Sequence, residues 1–479
     1  MAQIIYTKGS ERMNIRKVGG MTLVGLWLSM GIPVAFAGGH SDRPARVSSD
    51  IDPLQSVIIL SPERDDRKEM YNLYADSPVL ALSYFDGMAR QHEILSHLLR
   101  NHGVRVFDLA DLLADAIANA RKAGKLESAV AAIFPDEFPR LKSELPRLSA
   151  WAMLGRDPSF YFRFDGKGAL APLIPTSGAL MFTRDFAVST PRGIIITNGR
   201  TRWRQHEHRL ARFVFQFAKK LAAFPIVFDA EAEGVRCDGG DIIVKDERTI
   251  VMGIGNFSDR EAAAKIARKL DMDVIGVAMP SIEHPSGVNF EIMHLDTVFN
   301  FVDRRKVLTV PYLFLMKYAT ANPVARYLQA VQDRPYPELK KDEFDFPVSL
   351  KSAIDSIPQV GWITLFEAGT GEARELGQKL GDYLVAQGYE IIPVGGEQGS
   401  LEETRYIDDR VLYELSLQAA NIVQLAPGEI IAYAHNRYTN DVLRKRGVKV
   451  LTFDGKYLAD GFGGPHCLTM PLARTPRSD

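Results

Sequence analysis

The stretch Arg446-Gly447-Val448-Lys449-Val450-Leu451 predicts a tight turn followed by a strand of alternating, β-branched residues. A helical pattern precedes it, so the local order is helix, turn and strand. The same order recurs at four other places along the chain: His102–Val106, Leu221–Phe228, Leu270–Val277 and Gln387–Ile392. Five occurrences predict a repeated α/β unit.

Paired strand candidates precede several of these repeats, for example Ile242–Val244 and Thr249–Met252. Leu54–Leu60 predicts a first strand, and Ser83–His102 predicts an amphipathic helix. By contrast, Leu109–Leu154 has a helical pattern and no strand signal. The unequal spacing of the repeats indicates that the copies carry insertions. Such repeats either stack into a solenoid or close into a ring, and the pattern alone does not choose between the two.

The composition is that of a soluble globular enzyme, with 479 residues, 46% hydrophobic and 24% charged, and a net charge of -1. No excess of charge indicates nucleic acid or an anionic membrane as a partner. His206 and His208 stand two residues apart, but no third metal ligand follows at a typical spacing. The glycine-rich run Gly395–Gly399 lacks the lysine of a phosphate-binding loop. The sequence therefore predicts neither a metal nor a cofactor.

The N-terminus has the parts of a secretory signal. Basic residues around Arg16 precede an apolar run, Met21–Ala37, which ends in small residues. We therefore expect a signal peptide at residues 1–37, a flexible mature N-terminus at 38–53, and a protein that is periplasmic or secreted. An uncleaved membrane anchor is the alternative, but the apolar run is short and interrupted by Gly31 and Pro33.

A glycine-rich loop near the C-terminus, Gly461–Pro471, surrounds Cys467. Glycines let the backbone turn tightly and approach a ligand closely, so the loop suits the presentation of a reactive thiol. A buried free cysteine is the alternative, because unpaired cysteines commonly pack as small hydrophobic residues. The other cysteine, Cys237, directly precedes an acidic motif, and a disulfide between the two would remove the candidate nucleophile.

Four polar motifs accompany the Cys467 loop and supply an imidazole and several carboxylates. They are Phe182-Thr183-Arg184-Asp185, Asp238-Gly239-Gly240-Asp241, Met293-His294-Leu295-Asp296-Thr297-Val298-Phe299 and Tyr433-Ala434-His435-Asn436-Arg437-Tyr438-Thr439-Asn440. In this order the motifs resemble those of the arginine deiminases and their guanidine-modifying relatives, over about residues 54–474. The resemblance implies a pseudo-symmetric α/β propeller of five ββαβ units with the site on its central axis. It also implies a catalytic domain at residues 54–479, with a helical insertion in the first unit at about residues 109–165.

The resemblance also implies roles for individual residues. A guanidinium is planar and cationic, and a carboxylate matches two of its N–H groups with two acceptor oxygens. Asp185 and Asp296 match the family's substrate-binding aspartates. Cys467 matches the nucleophile that attacks the guanidinium carbon, and His294 matches the general acid and base. Asp238 stands where the family normally has a glutamate, so either its carboxylate lies further back or the backbone compensates.

The spacing of His294 and Asp296 is informative by itself. The histidine stands two residues before the aspartate, and on a strand such side chains point to one face. We therefore expect one element to deliver both a proton carrier and a binding carboxylate.

The leading interpretation is a hydrolase of C–N bonds in a small guanidino compound, which forms an amidino-cysteine intermediate and gives a ureido product and ammonia. An amidinotransferase shares that intermediate and is the nearest alternative. A non-catalytic propeller that binds a guanidino ligand is a third possibility, which the aspartate at position 238 keeps open. The sequence leaves a homo-oligomer open and indicates no other partner.

The substrate's tail is where the chain departs most from the resembled family. Its bacterial members place arginines around the α-carboxylate of the substrate, and the first of these matches Arg204. The other two positions are occupied by Phe257 and Phe462, and Phe182 is a further aromatic candidate in the first motif. Aromatic faces favour an apolar or cationic tail over a carboxylate. We therefore expect free L-arginine to be a poor substrate.

We predict that export removes the N-terminal segment and that the mature protein begins near Gly38. N-terminal sequencing of protein from a host with a Sec pathway tests this. Cytosolic protein that retains Met1 or Met13 would contradict it.

Overall fold

A computed structural model describes residues 46–62, 85–160, 162–164, 170–175, 178–200, 204–280, 294–333 and 354–475. The predicted signal peptide, residues 1–37, lies outside the described residues, as does the first half of the predicted flexible segment, residues 38–45. The second half, residues 46–53, is described, and Val47, Ser49 and Asp50 in it are buried. None of the helices in the described part of the chain is both long enough and apolar enough to cross a bilayer.

One strand pattern occurs five times among the described residues. Two strands pair antiparallel, and a third strand pairs parallel to the second after a helical connection. We call these groups modules 1 to 5. They comprise β1 (Leu54–Ile59), β2 (Arg105–Asp108) and β19 (Met470–Arg474) in module 1; β5 (Ala187–Ser189), β6 (Ile194–Ile196) and β7 (Ile226–Asp229) in module 2; β8 (Ile242–Asp246), β9 (Thr249–Ile254) and β10 (Asp273–Ala278) in module 3; β11 (Phe299–Asp303), β12 (Lys306–Thr309) and β15 (Glu390–Pro393) in module 4; and β16 (Val423–Ala426), β17 (Glu429–Tyr433) and β18 (Lys449–Phe453) in module 5.

The third strand of each module follows a helix. These helices are α1 (Phe85–Asn101), α6 (Gln205–Phe217), α7 (Arg260–Leu270), α10 (Leu380–Ala386) and α13 (Arg437–Lys445). In four of the five modules the connecting turn contains a residue with left-handed backbone. These residues are Gly103 (φ +78°), Asp271 (φ +51°), Gly388 (φ +81°) and Gly447 (φ +80°). The left-handed residue ends the helix and turns the chain toward the strand, which explains the recurring sequence pattern.

Further elements decorate the modules. A hairpin of β13 (Trp362–Phe366) and β14 (Ala373–Lys379) extends the sheet of module 3, and β3 (Phe162–Phe164) pairs with β4 (Leu170–Pro172). The segment predicted as an insertion contains α2 (Leu109–Lys122), α3 (Leu126–Ile133), α4 (Phe138–Leu141) and α5 (Ala150–Met153). The remaining α-helices of the described residues are α8 (Pro311–Phe314), α9 (Pro323–Gln332), α11 (Glu403–Tyr406), α12 (Tyr413–Ser416) and α14 (Lys456–Asp460).

The helices of the insertion share a hydrophobic core with modules 1 and 2. Leu112 and Ile117 of α2 pack in the same cluster as Ile58 of β1, Phe213 of α6 and Leu472 of β19, and all five are buried. The amphipathic pattern that predicts helix over this region therefore reflects a face that is buried against the sheets.

The modules are joined in sequence, and the fifth is joined to the first. Modules 1 and 2 are joined by Ser189 Oγ, which donates to Leu472 O at 3.0 Å, and modules 2 and 3 by Asn198 N, which donates to Cys237 O at 2.9 Å. Modules 3 and 4 are joined by Leu295 N, which donates to Asp241 Oδ1 at 2.9 Å, and modules 4 and 5 by Gln424 Nε2, which donates to Phe301 O at 2.7 Å. Modules 5 and 1 are joined by Cys467 N, which donates to Asn421 Oδ1 at 3.0 Å. The mixed α/β class is confirmed. The sheets remain separate, and none of the described strands closes a sheet on itself. Closure into a five-unit propeller therefore stays a prediction.

A buried ion pair fixes the segment before β1 to modules 2 and 3. The guanidinium of Arg184 is 3.1 Å from Asp50 Oδ2 and also donates to Gly239 O at 3.2 Å and Ile242 O at 2.5 Å. Asp50 Oδ2 in turn accepts from Val244 N at 2.9 Å. Arg184 and Asp50 are each 1% exposed, so neither charge is hydrated.

We predict that Asp50→Asn lowers the free energy of unfolding by about 3–5 kcal/mol, because it leaves a buried arginine without its anion. Chemical denaturation measures this. Glu403→Gln is the matched control, since it removes a surface pair with Arg326 that contributes at most about 1 kcal/mol. Equal effects of the two substitutions would contradict the assignment of Asp50 as an anchor.

Candidate active site

The candidate site residues occupy equivalent places in the modules. Each lies two to five residues before the first strand of its module, in a segment that we call the lead-in. Asp185 precedes β5, Asp238 precedes β8, His294 and Asp296 precede β11, Asn421 precedes β16, and Cys467 precedes β19. Residues that are far apart in the sequence therefore meet in one buried cluster.

The imidazole of His294 lies among carboxylates. Its Nε2 is 3.4 Å from Asp238 Oδ2, and its Nδ1 is 3.9 Å from Asp185 Oδ1. Burial alone would lower the pKa of His294, but Asp238, Asp185 and Asp241 outweigh it and raise that pKa to about 10. The side chain is therefore an imidazolium at neutral pH. The ring of Phe257 lies edge-on to it, with 4.8 Å between ring centres.

The two glycines of the Asp238–Asp241 motif allow this approach. A Cβ at Gly240 would lie 2.6 Å from Nδ1 of His294, and a Cβ at Gly239 would lie 2.0 Å from the carbonyl oxygen of Arg184. Only glycine avoids both overlaps. Because Gly239 and Gly240 have no side chains, the backbone that carries Asp238 can pack closely against His294.

Asp241 positions the His294 segment. Its Oδ1 accepts from Leu295 N at 2.9 Å, and its Oδ2 accepts from Ser258 Oγ at 2.6 Å. Burial raises the pKa of Asp241 to about 6. The hydrogen bond to Leu295 holds a 3₁₀ turn at Leu295–Thr297, so His294 and Asp296 are delivered by a turn and not by a strand. They nevertheless reach the same cluster, because the turn bends the backbone between them.

Asp296 connects the histidine of the C-terminal loop to the thiol. Its Oδ2 is 2.8 Å from Nδ1 of His466 and 3.5 Å from Sγ of Cys467. Burial would raise the pKa of Asp296, but the hydrogen bond and charge of His466 outweigh burial and keep that pKa below its usual value. His466 thus faces the aspartate and not the neighbouring cysteine, as its adjacency to Cys467 in the chain requires.

Cys467 is buried and its thiol is held by an amide. Asn421 Nδ2 donates to Sγ at 3.0 Å, and the side chain of Cys467 is 5% exposed. Burial, followed by the charges of Asp296 and Asp185, raises the pKa of the thiol well above its usual value. Both cysteines are free, so no disulfide joins Cys467 to Cys237.

Arg204, predicted to meet a substrate carboxylate, is bonded within the protein. It donates from Nη1 to Asp185 Oδ2 at 2.8 Å, from Nε to Glu207 Oε2 at 2.7 Å, and from Nη2 to Ala179 O at 3.2 Å. Burial raises the pKa of Glu207 to about 7, although Arg204 opposes that rise. Burial likewise raises the pKa of Asp185, again against the charge of Arg204.

Two of the three predicted aromatic residues, Phe182 and Phe257, lie beside the same cluster. Phe182 is buried and packs closely on Gly463, where a Cβ would lie 2.2 Å from its ring. Phe462, next to that glycine, is half-buried and has a left-handed backbone (φ +66°) that is strained for a non-glycine residue. Phe257 packs against His294, and Phe182 shares a hydrophobic cluster with Cys467, so these two rings give the site apolar contacts.

The cluster retains acceptor capacity. Asp185 Oδ1 and Asp296 Oδ1 are buried and have no hydrogen-bond partner among the described residues. Two carboxylate oxygens without donors, beside a thiol, suit a planar cation that carries several N–H groups. Among the described residues, no group of three or more His, Cys, Asp or Glu side chains is arranged to hold a metal ion.

Sequence reasoning missed Asn421 and Glu207. Asn421 stands in the lead-in of module 5, so the repeat itself gives a signal: each of the other modules places a polar residue there. Glu207 lies one helical turn after Arg204, which is the spacing of a local ion pair.

Comparison with known proteins identifies a family match. The family model described as arginine deiminase matches residues 165–474. The arginine deiminase of Clostridium perfringens is 25% identical over 472 residues, which cover 91% of this chain and 99% of that protein. The arginine deiminase of Metamycoplasma hominis is 24% identical over 441 residues, which cover 89% of this chain and 96% of that protein.

Solved structures are more distant. DDAH from Pseudomonas aeruginosa, solved as a mutant in complex with citrulline, is 13% identical and superposes with a TM-score of 0.45. The match covers 88% of this chain and 100% of the DDAH chain.

Proposed function

The chain belongs to the arginine deiminase family, and on that premise we propose that it hydrolyses a C–N bond of a guanidino compound. The products are a ureido compound and ammonia. One observation carries the proposal: a thiol, an imidazolium and carboxylates with free acceptor oxygens meet in a single buried cluster.

The carboxylates bind the substrate. Asp296 accepts N–H groups of the guanidinium beside Cys467, and Asp185 accepts others on the side facing His294. Two such contacts fix the plane of the cation so that its carbon faces the sulfur. The bound positive charge also lowers the pKa of the Cys467 thiol, which burial and the two aspartates otherwise raise. The nucleophile is therefore formed mainly when a cation is bound.

The first step is substitution at the guanidinium carbon. As the cation binds, the thiol of Cys467 loses its proton to solvent, and the resulting thiolate forms a C–S bond to the guanidinium carbon, giving a neutral tetrahedral adduct. His294 then donates a proton to one NH2 group, and the C–N bond breaks to release ammonia. What remains is a cationic amidino thioether on the sulfur and a neutral imidazole.

The second step is hydrolysis of that thioether. His294 takes a proton from water as the oxygen attacks the same carbon, and the C–S bond then breaks. As the C–S bond breaks, the hydroxyl proton of the adduct passes to the leaving sulfur, so the thiol is restored and the former guanidinium carbon becomes a urea carbonyl. The ammonia released in the first step takes up one proton in solution and becomes ammonium. Asp238 faces Nε2 of His294 in both steps and stabilises its protonated form.

We propose further that the five modules close into a propeller around this cluster. Hydrogen bonds that join each module to the next, and the fifth to the first, support the closure. The lead-ins would then surround the axis, which accounts for their shared role.

We also propose that the preferred substrate lacks a free α-carboxylate. Arg204 already donates to two carboxylates and a carbonyl, and the family's other two arginine positions are Phe257 and Phe462. A carboxylate in these surroundings would forgo charge-assisted bonds worth about 1.5–3 kcal/mol each.

We predict that turnover passes through an adduct on Cys467. His294→Ala should reduce kcat by about 10²–10⁴-fold, because it removes the general acid and base. If water activation is slowed more than attack, the amidino adduct accumulates. Mass spectrometry of acid-quenched protein should find it on the Cys467 peptide and not on the Cys237 peptide. Absence of the adduct, together with full activity of Cys467→Ser, would rule out the mechanism.

We predict that a guanidino compound without a free carboxylate has the higher kcat/KM. L-arginine, L-arginine amide and butylguanidine form a matched series for assays of ammonia release, without an added amine acceptor. We expect the amide and the alkylguanidine to exceed L-arginine. A clear preference for L-arginine would show that another cation binds the carboxylate. Turnover that requires an amine acceptor would instead indicate amidino transfer.

A further inference from the structure

Asn421 occupies the lead-in of module 5, the place from which the other modules contribute Asp185, Asp238, Asp296 and Cys467. It is buried, with 0% of its surface exposed. A neutral amide at this place cannot balance charge or transfer a proton. Its contribution to the site must come from directed hydrogen bonds.

The contacts of Asn421 determine which way its amide points. Oδ1 accepts from the backbone N–H of Cys467 at 3.0 Å. Nδ2 is 3.0 Å from Sγ of the same residue and 3.3 Å from the carbonyl oxygen of Asp296. The opposite orientation would place NH2 against an N–H donor and the oxygen against a carbonyl. The amide therefore donates to the sulfur.

The backbone around Asn421 is closely constrained. Asn421 N donates to Gln418 O at 3.1 Å, and Gln418 has a left-handed backbone (φ +62°). On the other side, a Cβ at Gly464 would lie 2.4 Å from the carbonyl oxygen of Asn421. A strained turn and a close contact thus hold the amide against the Cys467 loop.

The Asn421 amide affects the pKa of the Cys467 thiol in the opposite direction from burial and the nearby carboxylates. Burial and the carboxylates of Asp296 and Asp185 disfavour a thiolate, whereas the Asn421 hydrogen bond favours it. The same amide binds the backbone of the cysteine, so it also fixes the direction of the sulfur.

We propose that Asn421 is a further catalytic residue, which donates a hydrogen bond to Sγ of Cys467 and stabilises the thiolate as it attacks and as it leaves. The catalytic part of this inference rests on the proposed function, but the effect on the thiol does not.

The test is the pH dependence of alkylation of Cys467 by iodoacetamide, followed by mass spectrometry of the Cys467 peptide. In Asn421→Ala we expect the midpoint to rise by about one pH unit, because the thiolate loses a donor. Asn421→Asp keeps the acceptor for the Cys467 backbone but adds a negative charge, so we expect a larger rise. With substrate, Asn421→Ala should lower kcat by about fivefold or more, the equivalent of one hydrogen bond.

Asn300→Ala is the matched control. Asn300 is also buried, and its Nδ2 donates to Asp296 O at 3.2 Å and to Ala420 O at 2.8 Å. Asn300 and Asn421 both donate to the backbone oxygen of Asp296. Neither of the two Nδ2 hydrogen bonds of Asn300 involves Sγ of Cys467. We expect its removal to lower stability without moving the alkylation midpoint.

A folded Asn421→Ala or Asn421→Asp variant with the midpoint of the unaltered protein would overturn the proposal. If neither variant folds, NMR of the unaltered protein replaces them: the side-chain amide signal of Asn421 should move as the thiol ionises, and an unmoved signal overturns the proposal. A shifted midpoint in protein that releases no ammonia from any guanidino compound would refute the proposed function while supporting this role of Asn421. An unshifted midpoint in a variant of an enzyme that does release ammonia would refute this role of Asn421 while supporting the proposed function.

Discussion

The charge of His294 is the constraint on which the site depends. Three carboxylates, Asp185, Asp238 and Asp241, are buried around one imidazole, and their combined effect raises its pKa to about 10. Without this cation, carboxylates held so close together in a buried site would repel one another and have to take up protons. Because these residues come from modules 2, 3 and 4, the attraction that balances the site also holds three parts of the chain together.

The repeated unit could be predicted from the sequence because it depends on local signals. Turn residues such as Gly103 and Gly447 sit where a helix ends and a buried strand begins, and both signals are visible in a short window. The site motifs were also visible, because glycines and carboxylates stand next to each other in Asp238–Asp241. The spacing of His294 and Asp296 suits one face of a strand, but a hydrogen bond from Leu295 to Asp241, in another module, sets a turn there, and the two side chains reach the cluster from that turn.

Partners that are distant in the sequence could not be predicted. Arg204 was expected to meet a substrate carboxylate, and its bond to Asp185 depends on how the lead-in of module 2 lies against α6. Asn421 has no distinctive neighbours in the sequence, and its role follows only from its contact with Cys467. In both cases the residue type is common, and only the tertiary contact shows what the side chain does. The repeat offers a partial remedy: once the lead-in of one module is known to carry a site residue, the lead-ins of the other modules can be searched for more.

The pairing of β1 with β19 has a consequence for how the protein matures. Strand β19 of module 1 is the last strand in the described residues, and it directly follows the loop that carries Cys467. During synthesis, β1 emerges from the ribosome long before its antiparallel partner exists, so its edge must stay exposed or be shielded until β19 has been made. Cys467 enters the chain only a few residues before β19. A nascent chain that stops before Cys467 therefore lacks the proposed nucleophile as well as the pairing of β1 with β19.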